Sequence, residues 1–255
     1  MLLAVDVGNT HTVVGVFDGE RLQADWRIAT RREVTDAEFG VLLRALFQER
    51  DLDSGHVDGM IVSSVVPNLS DMLTAVGRNY FGCDPLHVEP GIKTGMTIRY
   101  ENPHEVGADR IVNSVAAVAR LGAPVIVVDF GTATTFDVVG PAGEYLGGLI
   151  APGLGVSAEA LFDKAARLHR VDVRRPQRII GRNTEESMQA GLFHGYAALV
   201  EGLVHRIRAE LGVDAPVIAT GGLAPGLEDE LSILHSVDLG LTLDGLRLIW
   251  EKNRR

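Results

Sequence analysis

Residues 2–22 read "LLAVDVGNTHTVVGVFDGERL". Residues 4–7 have the pattern of a buried strand, and residues 12–17 that of its hairpin partner. Gly8-Asn9-Thr10 makes the turn, and an Asp-Gly turn at residues 18–19 leads into a third strand that runs through Ile28. One carboxylate, Asp6, stands at the end of the first strand, just before the glycine. Residues 125–153, "VIVVDFGTATTFDVVGPAGEYLGGLIAPG", repeat that order of strand, Asp-x-Gly, hydroxyl cluster, strand, turn and strand. Asp6 matches Asp129, Gly8 matches Gly131, Asn9 matches Thr132 and Thr12 matches Thr135. "GERL" from Gly19 matches "GEYL" from Gly143 with one residue inserted. The period is too long for a solenoid, so the chain reads as two similar halves.

Between and after the repeats the chain alternates helices with strands. Residues 36–49 have helical spacing, with Phe39, Leu42, Leu43, Leu46 and Phe47 on one face. "DGMIVSSVVP" is a strand that ends in a turn containing the Ser-Ser pair, and Pro67 marks a helix start. "PLHVEP" is a short strand, residues 90–107 are irregular and polar, and residues 108–121 form a helix. Later helices are expected over 153–168 and 184–211, then a strand over 216–220. "TGGLAPGLEDEL" leads into a further helix, and "LTLDGLRLIWEKN" forms the last one with Thr242 as a candidate cap. This makes an α/β protein, divided into halves at 1–118 and 119–255.

A strand that ends in Asp-x-Gly brings a carboxylate to a sheet edge, where the glycine lets backbone approach a ligand. The amides and hydroxyls that follow can donate to phosphate oxygens. The carboxylate repels phosphate but can hold a cation that bridges to it, directly or through water. Two such turns suit a polyphosphate and its metal. The bland alternative, two turn residues satisfying local amides, does not explain why the whole hairpin is repeated around them.

The totals narrow the classes further. The chain has 255 residues, 24 Lys+Arg against 34 Asp+Glu, and a net charge of −10. Broad binding to nucleic acid or anionic membrane is disfavoured by that charge. Cys83 is the single cysteine, so neither an internal disulfide nor a Cys-pair zinc site is available. The N-terminus lacks the basic region of a signal peptide, and no apolar run reaches the roughly 18 residues of a membrane span. A cytoplasmic location fits these features.

"DVGNT", "DFGTATT" and the later "ATGG" resemble the phosphate-1, phosphate-2 and adenosine motifs of the superfamily of acetate and sugar kinases, actin and heat-shock chaperone ATPases. Within it the chain is similar to the type III pantothenate kinases over nearly its whole length. The shared segments include "ENPHEVGADR" (101–110), "GGLIAPG" (147–153), "GRNTEESMQAG" (181–191) and "LTLDGL" near the end. The resemblance implies a duplicated ribonuclease-H-like fold with a central nucleotide cleft, and ATP-dependent phosphorylation of pantothenate, the first step towards coenzyme A. It implies ATP binding by Asp6, Val7, Gly8, Asn9, Thr10, His11, Thr12, Val13 and Thr132, with Asp6 positioning Mg2+, largely indirectly. Asp129 would hold the monovalent cation, K+ or NH4+, although sequence alone does not tell a potassium site from a magnesium site. Tyr100, Gly107, Ala108, Asp109, Arg110 and Thr184 would contact pantothenate. Asp109 would accept the proton of its primary hydroxyl, Asp6 being the competing base, and Arg110 would meet the substrate carboxylate or a phosphate.

A homodimer is implied too, with the substrate pocket near its interface. The helical face Met188, Leu192, Tyr196, Leu199, Leu203 is either part of that interface or ordinary core. Thr184 is compatible with both a ligand contact and a helix cap. His11 is either a ligand contact or a solvated turn residue. Few side chains near "TGG" would read an adenine edge, so loose nucleotide selectivity is expected. "GLGVSA" from Gly153 has the form of a dinucleotide fingerprint, but it follows β-hairpins and not a parallel βαβ unit, which favours a close packing turn. No P-loop motif is present. Two rivals stand beside the kinase: a phosphatase of the same fold, and an ATP-binding regulator without turnover, for which Asp109 would be dispensable.

Overall fold

The computed structural model describes residues 1–164 and 170–254 and contains two five-stranded sheets. In the first, β1 (Leu2–Val7) pairs antiparallel with β2 (His11–Asp18), which pairs antiparallel with β3 (Arg21–Ala29). On its other side β1 runs parallel to β4 (Gly59–Ser64), which runs parallel to β5 (Leu86–His87). The order is β3-β2-β1-β4-β5. Four of the six residues of β1 fall in one unbroken buried run, as a strand covered on both faces requires.

One face of this sheet carries Leu3, Val5, Val7, Val14 and Val16. It packs on Phe39, Leu43 and Phe47 of α1 (Asp36–Glu49) and on Leu73 and Val76 of α2 (Ser70–Val76). The bounds of α1 are those the apolar spacing predicts. Thr35 and Glu38 hold its start in a reciprocal capping box. The helix expected from Pro67 opens as a 3-10 turn, Pro67–Leu69, before α2 proper, and a π-helical turn, Gly77–Phe81, follows α2. Residues 90–107 are irregular apart from a 3-10 turn at Pro103–Glu105, and they lead into α3 (Ala108–Leu121).

The second sheet repeats the first. Here β6 (Val125–Phe130) pairs antiparallel with β7 (Ala133–Val139), and β7 with β8 (Tyr145–Pro152). After α4 (Leu154–Lys164) and α5 (Thr184–Leu211) comes β9 (Val217–Thr220), parallel to β6. A single turn, α6 (Ala224–Leu227), precedes β10 (Ser236–Val237), parallel to β9. Ile126, Val128, Phe130, Phe136 and Val138 pack on Phe193, Tyr196, Ala197, Val200 and Val204 of α5. Met188 and Tyr196 are thus core and Leu192 and Leu203 lean on it, while Leu199 is 37% exposed. The helix expected over 153–168 is described only to Lys164, and 165–168 lie outside the described residues. The helix expected after "TGG" amounts to the one turn of α6, which holds Pro225 in its opening positions.

The chain closes with α7 (Leu241–Asn253). Its residues group with the first compact unit, Met1–Ala119 plus Gly240–Arg255, while the second unit is Arg120–Leu239. The sequence division had placed 240–255 with the second half. The physical reason is burial: Leu241, Leu243, Leu246 and Ile249 need an apolar face, and α7 packs on β1, β2 and β4. Two glycines allow the backbones to close up. A Cβ on Gly59 would lie 2.1 Å from the Trp250 ring, and one on Gly245 would lie 2.2 Å from the Val112 carbonyl oxygen. Thr242 is not a cap. Its hydroxyl donates to Asn113 Oδ1 at 2.7 Å, and the N-cap position belongs to Gly240.

Candidate functional site

In the first unit Asp6 sits at the end of β1, level with Val13 of β2 and Ser63 of β4. The turn after it is closed by the Gly8 amide donating to the His11 carbonyl at 3.0 Å. Thr30, just beyond β3, braces this turn. Its amide donates to the Thr10 carbonyl at 2.9 Å, its hydroxyl donates to the Gly8 carbonyl at 2.8 Å, and Thr12 Oγ1 lies 2.9 Å from that hydroxyl. Asn9, Thr10 and His11 remain exposed, whereas Val7 and Thr12 are buried. Two cations lean on the exposed rim. Arg32 donates to Asn9 Oδ1 at 3.2 Å and Arg27 donates to His11 Nδ1 at 3.0 Å. Partial burial and the Arg27 charge hold the His11 pKa below its ordinary value. The turn therefore offers hydroxyl, amide and guanidinium donors around a single carboxylate, a donor set that fits phosphate oxygens.

The same unit carries Gly107, Ala108, Asp109 and Arg110 at the start of α3. Gly107 leaves room for the carboxylate that follows it: a Cβ there would stand 2.5 Å from Asp109 Oδ1, and the carboxylate would have to shift. That oxygen accepts from the Arg110 amide at 2.8 Å. Burial nonetheless raises the Asp109 pKa above the ordinary carboxylate value, against the lowering effect of that amide and of the Arg110 charge. Arg110 is itself buried, at 7% exposure. The helix behind them is held by Asn113, which receives the Thr242 hydroxyl from α7, and by the Ser114 hydroxyl donating to the Arg110 carbonyl at 2.8 Å. Asn253 clasps the irregular segment that contains half-buried Tyr100, donating to the Lys93 carbonyl at 2.9 Å and accepting from the Lys93 amide at 3.2 Å. Thus "LTLDGL" and the residues after it support α3 and the segment before it, a role that only the long-range packing reveals.

In the second unit Asp129 ends β6, level with Thr135 of β7 and Thr220 of β9. Gly221 folds directly over it. Its φ is +90°, and a Cβ there would stand 2.5 Å from Asp129 Oδ1 and 2.6 Å from the Phe130 nitrogen. "ATGG" and "DFGTATT" are therefore brought together around one carboxylate. The Gly131 amide donates to the Ala133 carbonyl at 3.2 Å, and the Gly153 amide donates to the exposed Thr132 at its carbonyl, 3.1 Å away. A Cβ on Gly153 would lie 2.4 Å from that same oxygen, so "GLGVSA" is a close packing turn. Beneath it Thr134 Oγ1 and the Tyr196 hydroxyl are hydrogen-bonded in the core. Burial raises the Tyr196 pKa, and the nearby Asp129 charge adds to the effect.

Thr184 is the first residue of α5 and not its cap. Asn183 caps the helix, accepting from the Glu186 amide at 2.8 Å, and Glu186 returns a bond by accepting from the Arg182 amide at 2.9 Å. Thr184 lines an open cavity of about 730 Å³ with Leu161, Gly181, Arg182, Ser187 and Met188. This cavity does not include the Asp129 turn.

No cluster of three or more His, Cys, Asp or Glu side chains suited to a metal occurs among the described residues. Asp6 and Asp129 each supply one carboxylate flanked by hydroxyl residues. That fits a cation whose remaining ligands are phosphate oxygens and water, and does not fit a caged structural metal. No helix among the described residues is long and apolar enough to cross a membrane.

Two sheets of one topology, each ending its first strand in an Asp-x-Gly turn, define the class: the fold of the actin-like ATPases and ROK sugar kinases. The ROK hexokinase of Thermus thermophilus shares it, at 15% identity over 99% of both chains with a TM-score of 0.53. The family is narrower than the class. The model of the type III pantothenate kinase family matches residues 2–206. The type III pantothenate kinase of Myxococcus xanthus is 54% identical over 99% of each chain, and that of Koribacter versatilis is 53% identical over 100% of this chain and 96% of its own. The chain belongs to the type III pantothenate kinase family, and is a phosphotransferase of coenzyme A biosynthesis.

Proposed function

We propose that this chain transfers the γ-phosphoryl group of ATP to the primary hydroxyl of pantothenate, giving 4′-phosphopantothenate and ADP, with Asp109 as the proton acceptor. The observation that carries the reading is the full-length family identity; the carboxylate at the start of α3, buried enough to raise its pKa, supports the role given to Asp109. In the reaction the pantothenate oxygen bonds to the γ-phosphorus while the bond to the β,γ-bridging oxygen breaks. The hydroxyl proton passes to Asp109, and ADP departs. A raised pKa suits this task, because a base works best when its pKa lies near the operating pH.

Asp6, Val7, Gly8, Asn9, Thr10, His11, Thr12 and Val13, together with Thr132, hold the nucleotide phosphates. Asp6 orients Mg2+ and Asp129 takes K+ or NH4+. These cations, when bound, neutralise phosphate charge. Tyr100, Gly107, Ala108, Arg110 and Thr184 position pantothenate, and Gly107 keeps the Asp109 carboxylate in its place. The enzyme works as a cytoplasmic homodimer. The test is ADP release by the purified protein with ATP, Mg2+ and K+, with and without pantothenate. Turnover that requires pantothenate supports the reading, whereas equal release without it turns the protein into a hydrolase.

A further inference from the structure

The repeat extends beyond the Asp-x-Gly turns. On the strand running parallel to each first strand, a hydroxyl residue stands level with the carboxylate: Ser63 with Asp6, and Thr220 with Asp129. Residues paired across neighbouring strands project to the same face, so carboxylate and hydroxyl share a face in both halves. The antiparallel neighbours do not repeat in this way, being Val13 in one half and Thr135 in the other. Both parallel-strand residues are buried, Ser63 at 0% and Thr220 at 2% exposure. Ser63 follows Met60, Ile61 and Val62, all buried and apolar, and its Oγ has no hydrogen-bond partner. Burying a hydroxyl without a partner is unfavourable, and an alanine would avoid the cost. Packing therefore gives no reason for serine at this position.

We infer that Ser63 and Thr220 are positioning residues for the two carboxylates. The Ser63 hydroxyl donates to Asp6, directly or through one water, when nucleotide and Mg2+ engage that carboxylate, and Thr220 sets the orientation of Asp129 for the monovalent cation. Both residues are buried within their strands, so each acts on the carboxylate beside it. The inference rests on the proposed reading of Asp6 as the Mg2+-side carboxylate and Asp129 as the monovalent-cation carboxylate. Hydrogen-bond partners of cation-side carboxylates commonly control cation affinity by about 10-fold or more.

The experiment compares Ser63→Ala, Thr220→Val and Thr220→Ser with the natural protein. Each is titrated calorimetrically with a non-hydrolysable ATP analogue at varied Mg2+ and at varied K+ against Na+, and melting temperatures control for folding. Ser63→Ala is expected to melt no lower than the natural protein and to need about 10-fold more Mg2+, with its K+ dependence unchanged. Thr220→Val is expected to show the converse, a shifted K+ dependence with Mg2+ unchanged, and Thr220→Ser to restore it. Unshifted cation dependences in the two variants, or equal shifts for both cations in each, overturn the inference, as does analogue binding by the natural protein that ignores both cations. If the cation-specific shifts appear in binding while pantothenate-dependent turnover is absent, the proposed function fails and the inference stands.

Discussion

The turn after β1 and the turn after β6 share a backbone plan and differ in what closes over them. Around Gly8 the Thr30 hydroxyl and the Arg32 guanidinium add to the backbone bonds of the turn, and Asn9, Thr10 and His11 stay open to solvent. Around Gly131 glycine backbone closes in: Gly153 against the Thr132 carbonyl, and Gly221 against the Asp129 carboxylate and the Phe130 backbone. A polar, open rim can adjust to phosphate groups that arrive and leave. A carboxylate fixed by a glycine at φ +90° is suited to one ion of defined geometry. Duplication thus supplied two similar frames with different packing around each turn, and the proposed function gives them different work. Only the first unit carries the Asp109 helix.

The largest effect that sharpens this comparison is expected at Asp109. Asp109→Asn should lower kcat by about 100-fold to 10,000-fold, with binding of ATP to the turns retained. Loss of nucleotide binding in that variant would contradict the separation of roles. Because burial raises the Asp109 pKa, activity in the natural enzyme should fall on acidification at a higher pH than an ordinary carboxylate would give. The same shift acts on stability. A carboxyl whose folded pKa is raised favours the folded state when protonated, and that contribution is lost as pH rises through the folded pKa. Asp109→Asn should therefore raise the melting temperature at neutral pH while lowering turnover, a pairing that scanning calorimetry and the kinetic assay can check together.

Next in size is a contrast between glycines. Gly221→Ala forces a Cβ against backbone at positive φ, and strain of this kind costs about 1–3 kcal/mol. Gly8→Ala meets only the His11 carbonyl oxygen, at 3.0 Å. Denaturant unfolding should show the larger loss for Gly221→Ala, and that variant should also lose its response to K+. Equal losses would break the comparison. Smaller again is Tyr196→Phe, which removes the partner of buried Thr134 and should cost about 1 kcal/mol. Thr30→Val, at the braced open turn, should leave stability closer to unchanged and raise the KM for ATP.

The hairpin repeat was legible because strand, carboxylate, glycine and hydroxyls are adjacent in the chain. The bounds of α1 and α3 were legible from their apolar spacing. The placement of α7 was not, since its partners Gly59, Val112 and Asn113 lie more than a hundred residues away. For the same reason the support that Thr242 gives to α3 reads in sequence only as a cap. Ser63 reads in sequence as part of a turn, whereas the structure keeps it in β4, and its level with Asp6 is a fact of parallel register that the sequence does not carry. Asn183 displaced Thr184 as cap because its amide oxygen reaches the Glu186 nitrogen, and both residues are ordinary cap formers.

The most direct test of the central claim follows the phosphoryl group itself. Phosphorus NMR of a reaction with ATP, Mg2+, K+ and pantothenate should show a new phosphomonoester growing one for one with ADP, and its growth should slow by about 100-fold or more in Asp109→Asn. Inorganic phosphate in place of the monoester, or a monoester that grows at an undiminished rate in Asp109→Asn, would contradict it.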